Sequence, residues 1–591
     1  MPRKTALARA WFFPPSPRSP YKIQGELNLL KNFDGHVWNE ETQLKFGASL
    51  SNSDDYYGQV SKVDTPFAAR ERLRAPSLLG LICKPKRGGQ NRKLEFTEIG
   101  NIFLNANQYQ QQLILQRQIA KVQFRSHIHS NIGFEQMNIR PLTLMIKLLL
   151  NLERLSKIEI ALFVITLINH EDFDNVLDQV LEYRHQITLH SPGVDRQTFK
   201  ENYAKKQIKK IYAEDIAEGR TTLREGGSNF INTKLRTLKD YADASGRYLL
   251  ATGLFTLNPH GQYFELSKAN IETAKYLLET LGLSISDKTD HEYENYIKNY
   301  LGNPSLPKLD IDDEVKFNEK FNNLLGNVKS FNPKVSKDLH DQFDNAQSMV
   351  DKHNVIHQLE IKITENHIKN QALTIRSDYQ SSLDDIKDMF AQISSRNSEL
   401  VDRPLNYEWN TWRTMVLIND ALDVKGNYIA DSLGNPVNTA KGNMPDTLCE
   451  YKDFWLVVEV TLQKGARQWE TESEPIFRHV GLHQKKQKEL GDSRPVFGLF
   501  IANKITDSLK ADLISRAKTN YQTYGGPVKI APLETDGFIQ LAESVLQHQN
   551  FQSKILLKFF NEIFNDENLQ IGELDWFNSI KDKSSEIHLN Y

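Results

Sequence analysis

The sequence predicts a multidomain α+β protein, with helix-rich units carrying short hairpins in its first half, a helical linker, and an α/β core at its C-terminal end. Three observations predict it. The chain has 591 residues, too many for one hydrophobic core and enough for roughly three to five domains. A helical stretch followed by a hairpin occurs twice before residue 300. Past residue 404 the apolar pattern changes from helical spacing to short continuous apolar runs separated by turns. At 39% hydrophobic and 25% charged residues, the composition is globular, which excludes a disordered or fibrous chain.

In residues 1–105, short helical stretches from Ser16 onward precede a hairpin. Leu78-Leu79-Gly80-Leu81-Ile82 reads as a strand, residues 84–92 as a basic turn and Lys93-Leu94-Glu95-Phe96 as the return strand, with Thr97 capping the next helix. Residues 106–300 are helix-rich and repeat the theme. Residues 234–248 form a basic helix, 248–257 continue as strand-like sequence, Asn258-Pro259-His260-Gly261 makes a turn and residues 262–266 return. Helices followed by a two-stranded ribbon are winged-helix-like: one helix can enter the major groove of a duplex while the wing touches phosphate.

Gly302-Asn303-Pro304-Ser305-Leu306-Pro307 marks a boundary. Residues 301–400 read as a polar helical linker. Leu359, Ile361, Ile363 and Ile368 hold no heptad register, so packed helices are expected rather than a coiled coil. In 401–591, residues 407–422 read as a helix, Thr447-Leu448-Cys449-Glu450-Tyr451 and 454–462 as strands joined at Lys452-Asp453, and 475–490 as a helix with Pro475 in its first turn. Strands at 496–502 and 528–530 and a helix at 537–549 complete an α/β core.

The net charge of −2 conceals an asymmetry. Residues 1–300 carry 40 Lys plus Arg against 33 Asp plus Glu, and residues 301–591 carry 33 against 42. A basic front half fits a polyanion such as double-stranded DNA, although solvated helix surface also accounts for the acidic half. The only cysteines, Cys83 and Cys449, are far apart; they exclude a CxxC metal knuckle and fit a reducing cytoplasm. The longest apolar run, 158–168, is too short to span a bilayer, and Arg9 interrupts the one stretch that could serve as a secretory leader, so a cytoplasmic protein without membrane contact is expected. Gly88-Gly89 and Gly226-Gly227-Ser228 lack the Gly-Lys-Ser/Thr of a phosphate-binding loop, so no nucleotide cofactor is expected.

The residues that carry chemistry lie in the C-terminal core. Asp446 follows Pro445 where a turn enters one strand, and Glu459 falls thirteen residues on, within the apolar strand Trp455-Leu456-Val457-Val458-Glu459-Val460-Thr461. A carboxylate in such surroundings is costly unless paired or metal-bound, and two carboxylates from adjacent strands can converge on Mg2+. Asp446 is equally a turn former and Glu459 an ion-paired strand residue. Glu408 in the preceding helix, and Glu472 and Glu474 at the start of the following one, favour the metal reading. His479 and His483 stand four apart on one helix face, but with Val-Gly-Leu between them they fit a surface pair better than a zinc site. Lys485, Lys486 and Lys488 read as a solvated face.

Several segments resemble the AlwI/BstNBI group of type IIS restriction and nicking endonucleases. They are Ser16-Pro17-Arg18-Ser19-Pro20 with Lys22-Ile23-Gln24, Arg70-Glu71-Arg72, Leu94-Glu95-Phe96-Thr97-Glu98-Ile99-Gly100, Arg224-Glu225-Gly226 and the Gly302–307 run, then Pro445-Asp446, Glu459-Val460-Thr461, Lys464-Gly465-Ala466, Glu472-Ser473-Glu474-Pro475 and Arg478-His479. The resemblance runs nearly end to end. It implies a recognition domain of two FokI-like subdomains, a helical linker and a PD-(D/E)xK cleavage domain. By the same analogy Asp446, Glu459 and Val460 are the metal ligands, Glu408 and Glu472 complete the acidic cluster, and Mg2+ is the cofactor.

The activity implied is site-specific cleavage of DNA a few bases outside an asymmetric site, as in restriction–modification. Thr461 stands where many such nucleases place Lys; the group shares this Thr, which leaves the activator of the attacking water to Lys464 or Glu472. Arg18, Lys22, Arg70, Arg72, Lys234, Arg236, Lys239 and Arg247 are expected to contact DNA as a group. One catalytic centre per chain cuts one strand, so breaking both calls for a transient homodimer or a second subunit. Two alternatives remain at this stage: a monomeric nicking enzyme and a non-catalytic DNA-binding regulator.

Overall fold

The computed structural model describes residues 5–53, 66–84, 93–129, 133–223, 229–285, 293–395, 398–418, 420–440, 444–548 and 552–586. The chain forms two compact units, Met1–Ile363 and Thr364–Tyr591. Together they make a helix-rich α+β protein with a mixed sheet in the second unit. Among the described residues no helix is long and apolar enough to cross a membrane.

In the first unit, α1 (Ile23–Leu30), α2 (Glu40–Ser51) and α3 (Pro66–Arg72) precede a ribbon of β1 (Ile82–Cys83) and β2 (Glu95–Phe96), antiparallel with Ile82 opposite Phe96. The first strand is shorter than read. Arg74–Leu78 is helical, and Gly80 then turns the chain in the left-handed region (φ +65°), where a Cβ would lie 2.4 Å from that of Leu301. Residues 85–92 of the basic turn lie outside the described residues. Thr97 caps α4 (Glu98–Leu104), its hydroxyl accepting the Gly100 N–H at 3.2 Å.

Beyond α5 (Gln108–Lys121) and α6 (Pro141–Leu152), β3 (Arg154–Ser156) precedes α7 (Phe173–Thr188), α8 (Val194–Ile211) and α9 (Phe230–Leu250). The second hairpin forms as read. β4 (Phe255–Leu257) pairs antiparallel with β5 (Tyr263–Leu266), and β3 adds to the far side of β5. Residues 248–250, read as strand, instead continue α9, and Gly246 admits the Phe264 ring against that helix: a Cβ there would lie 2.4 Å from Cζ. Polar helices follow at α10 (Glu314–Phe331), α11 (Pro333–Asp344) and α12 (Met349–Ser377). Phe321 and Phe343 stack between the first two, and Ile356 and Leu359 of the third are fully buried.

Lys121, at the end of α5, is fully buried. Its ammonium donates to the carbonyls of Leu301 at 2.7 Å, Asn303 at 2.8 Å and Tyr300 at 3.3 Å, so its three N–H groups match three chain carbonyls. The Gly302–307 run, expected as a boundary, is thereby packed: the Gly302 carbonyl also accepts the Ile99 N–H at 3.1 Å.

In the second unit α13 (Tyr379–Ser394) and α14 (Arg403–Leu417) lead into a five-stranded sheet. Its strands are β6 (Asp423–Gly426), β7 (Thr447–Glu450), β8 (Trp455–Thr461), β9 (Val496–Ala502) and β10 (Lys529–Glu534), in spatial order β10-β9-β8-β7-β6. β8, β9 and β10 are parallel, and β6, β7 and β8 are antiparallel. β10 is longer than the short strand read at 528–530; as an edge strand it tolerates Pro532.

Between β8 and β9 runs α15 (Ala466–Glu489). It starts nine residues before Pro475, which therefore sits inside the helix rather than in its first turn, removing one rung of the hydrogen-bond ladder. The helix read at 407–422 spans Arg403–Leu417, since Leu422 already donates its N–H to the Glu450 carbonyl as the sheet begins. Replacing Lys121 by Met keeps length and apolar packing but strips donors from buried carbonyls. Urea unfolding of the full chain should show a loss of about 1–3 kcal/mol in the first unit.

Candidate active site

The β7–β8 hairpin builds the site. Thr447 pairs with Val458, so one step further the antiparallel register brings Asp446 opposite Glu459. Asp446 is buried (9% exposed), and its Oδ2 accepts the Val460 N–H at 2.8 Å. The two carboxyl groups are close enough to act on each other's protonation. From α14, Glu408 (8% exposed) accepts the Ala440 N–H on Oε2 at 2.8 Å. From α15, Glu472 accepts the Thr461 hydroxyl on Oε1 at 3.0 Å. Of the acidic residues picked from the sequence, Asp446, Glu459, Glu408 and Glu472 are therefore electrostatic neighbours, whereas Glu474 is exposed and pairs with Arg478.

Their electrostatics are unfavourable. Burial, and then the charge of Glu459, pushes Asp446 well above the ordinary carboxylate range. Burial, followed by the charges of Glu472 and Glu408, does the same to Glu459. In the absence of a cation the pair is therefore driven to retain protons.

Sequence reading took His479, with His483, for a surface pair. His479 is no surface residue: its side chain is 8% exposed, and Nδ1 lies 2.5 Å from Glu459 Oε1. Burial, then the neighbouring charge of Arg478, lowers its pKa to about 4. A carboxyl that keeps its proton thus meets an imidazole that gives its own up, and one proton serves the contact. The imidazole Nε2 is buried with no hydrogen-bond partner among the described residues. The signal was available, because Glu472 and His479 are seven apart and share one face of α15. Starting the helix at Pro475 hid that relation. His483 also turns inward, edge-on to Trp455 at 4.9 Å. Lys485, Lys486 and Lys488 are exposed, as expected.

The Thr461 hydroxyl gives its proton to Glu472 and accepts the Gln463 N–H at 3.1 Å, so that proton is committed to Glu472 rather than to water. Lys464 is exposed in the loop before α15.

The basic residues of the first unit fall into two sets. Arg18, Arg70, Arg236 and Lys239 are exposed, and Lys22 is half-buried. Lys234 lies over the rings of Tyr212 (5.0 Å) and Phe230 (5.3 Å). Arg72 and Arg247 are instead held inside the unit. Arg72 pairs with the buried Glu26, while Arg247 pairs with Asp243 and donates Nε–H to the Arg18 carbonyl at 2.6 Å. The Arg224-Glu225-Gly226 segment lies outside the described residues.

No curated protein matches the chain. Several solved structures are similar to it, two of them restriction endonucleases. One is the small subunit (R.BspD6I2) of the heterodimeric restriction endonuclease R.BspD6I, at 21% identity, covering 34% of this chain and 98% of that one with a TM-score of 0.28. The other is restriction endonuclease FokI, at 11% identity, covering 94% and 99% with a TM-score of 0.23. The family model for the AlwI restriction endonuclease matches residues 77–541, which is most of the chain and includes all four acidic residues of the site. The chain belongs to the AlwI restriction endonuclease family and is a restriction endonuclease, a hydrolase whose substrate is DNA.

Proposed function

We propose that the chain is a type IIS site-specific deoxyribonuclease that binds a short asymmetric duplex site and, with Mg2+, hydrolyses a phosphodiester a few bases outside it. Residues 1–105 and 106–300 act as recognition subdomains, 301–400 as a helical linker and 401–591 as a PD-(D/E)xK cleavage domain. The observation that carries the reading is the neighbourhood of Asp446 and Glu459 at the β7–β8 hairpin, with Glu408 and Glu472 close enough to act on Glu459: Asp446 is buried, Glu459 half-buried, and both are short of compensating charge.

This donor set suits Mg2+. Among the described residues no group of three or more His, Cys, Asp or Glu side chains could hold a metal, but the expected ligands are two carboxylates with Val460, whose main-chain carbonyl is a third hard oxygen. The burial and neighbouring acidic charge that raise both carboxyl pKa values are the demand a divalent cation answers. When bound, Mg2+ supplies charge against the phosphate and lowers the pKa of a bound water.

The chain's own residues supply the rest. The Val460 N–H fixes the Asp446 carboxylate, and His479 steadies Glu459. Of the two candidates for the role of the missing Lys, Glu472 is fixed by Thr461 whereas Lys464 is exposed, which favours Glu472 as the base that takes the attacking water's proton while the water oxygen bonds to phosphorus and the bond from phosphorus to the leaving oxygen breaks. Exposed Arg18, Arg70, Arg236 and Lys239, with Lys22 and Lys234, grip the duplex, while Arg72 and Arg247 brace the surface that presents them. With one acidic centre per chain, cutting both strands calls for a transient homodimer or a second subunit.

Asp446→Ala and Glu459→Ala should each lower Mg2+-dependent plasmid cleavage by about 10³-fold or more while site-specific binding in a gel shift persists. Wild-type protein that binds specifically but never cuts would instead establish the non-catalytic regulator. A second expectation follows from the raised Asp446 pKa. Its contribution to stability is fully present below the unfolded value of 3.8 and is lost as pH rises toward the folded one. In EDTA at about pH 8, Asp446→Asn should therefore melt above wild type, the gap closing near pH 4; saturating Mg2+ should reverse the order, because only wild type gains the cation's stabilisation.

A further inference from the structure

Asn427 follows the last residue of β6 and makes two hydrogen bonds to consecutive carbonyls. Its backbone N–H donates to the Asp446 carbonyl at 2.9 Å, and its side-chain Nδ2 donates to the Pro445 carbonyl at 2.7 Å. The first extends the β6–β7 ladder by one step beyond Gly426 opposite Thr447. The second has no counterpart in a regular ladder, because a side chain reaches back to hold the peptide before Asp446. The amide's orientation is fixed by chemistry, since the reverse would set two acceptors face to face. Asn427 Oδ1 is in turn buried with no hydrogen-bond partner among the described residues, an arrangement that lowers stability and calls for a compensating role.

The position of Asn427 is itself set by the helix that carries Glu408. Trp412, one turn on from Glu408 and fully buried, donates Nε1–H to the Val424 carbonyl of β6 at 3.1 Å. Gly426 lets that strand approach the helix: a Cβ there would lie 2.5 Å from the Tyr428 ring and 3.0 Å from that of Trp412. A continuous path of contacts therefore runs from α14 through Trp412, β6 and Asn427 to the main chain of Asp446, whose carboxylate is separately fixed by the Val460 N–H.

We infer that Asn427 is a positioning residue for Asp446, holding its main chain so that the Asp446 carboxylate keeps its place beside Glu459 for cation binding. The inference rests on the proposed role of Asp446 and Glu459 as cation ligands. Nothing about Asn427 touches substrate; it acts through Asp446, as residues behind a metal ligand do.

The test uses the full-length protein and three forms: wild type, Asn427→Ala and, as a control on the ligand assignment, Asp446→Asn. Asn427→Ala keeps the backbone bond to Asp446 and removes only the side-chain bond to Pro445. Binding of Tb3+ alone is followed by its tryptophan-sensitised luminescence and by Mg2+ competition, alongside thermal melting in EDTA and cleavage against Mg2+ concentration. Asn427→Ala is expected to weaken Tb3+ and Mg2+ binding about tenfold. The Mg2+ concentration for half-maximal cleavage should rise by the same factor, with the rate at saturating Mg2+ within about twofold of wild type and melting unchanged. Cation affinity equal to wild type in Asn427→Ala, with affinity lost in Asp446→Asn, overturns the inference alone. A large fall in melting temperature for Asn427→Ala overturns it too, by showing a role in folding instead of positioning. Undiminished Tb3+ binding by Asp446→Asn overturns the ligand reading and the inference with it.

Discussion

Two acidic residues, Asp446 and Glu459, are set opposite each other by the β7–β8 register, in a setting where neither can ionise easily. Left alone, like charges at such a distance would move apart or stay protonated. The fold prevents the first. The β7–β8 register fixes the main chains, the Val460 N–H fixes one carboxyl and His479 meets the other. Much of the second unit can be understood as the frame this repulsion needs. α14 brings Glu408, α15 brings both Glu472 and His479, and the parallel strands beyond β8 anchor the hairpin that bears Glu459. Carboxyl groups held where ionisation is costly are characteristic of function rather than of stability.

The first unit solves a different problem. Several of its positive charges hold the unit's own structure, while others lie on its surface. Arg72 and Arg247 show the division: each closes an ion pair with a carboxylate of its own unit, and Arg247 also holds the Arg18 main chain. The excess of basic residues before residue 300 is thus part scaffold and part surface, and the count of charges overstates the surface share.

How much was legible in the sequence follows from how local each feature is. Asp446 and Glu459 could be found because a tight hairpin brings residues thirteen apart into register, and the apolar run around Glu459 made its carboxylate conspicuous. β8 and β9 were readable for the same reason. His479 was not, because Pro475 was taken as a helix start, and a proline inside a helix cannot be told from one at its beginning without the packing that carries the helix through. The strand read from Leu78 failed where Gly80 meets Leu301, a contact more than two hundred residues distant in sequence. The fates of Arg72 and Arg247 were hidden likewise, since whether an arginine faces solvent or an internal carboxylate is a tertiary fact. Asn427 carried no signal, because its importance lies in which carbonyls it reaches.

The sheet of the second unit ends on one side at β10, with Pro532, and on the other at β6, with exposed Asp423 and Lys425. A proline lacks the N–H that an incoming strand would use, and charges along an edge discourage strand addition. Two such units are therefore poor templates for joining their sheets into one. If a pair assembles to sever both strands, side-chain faces rather than a shared sheet would provide the junction.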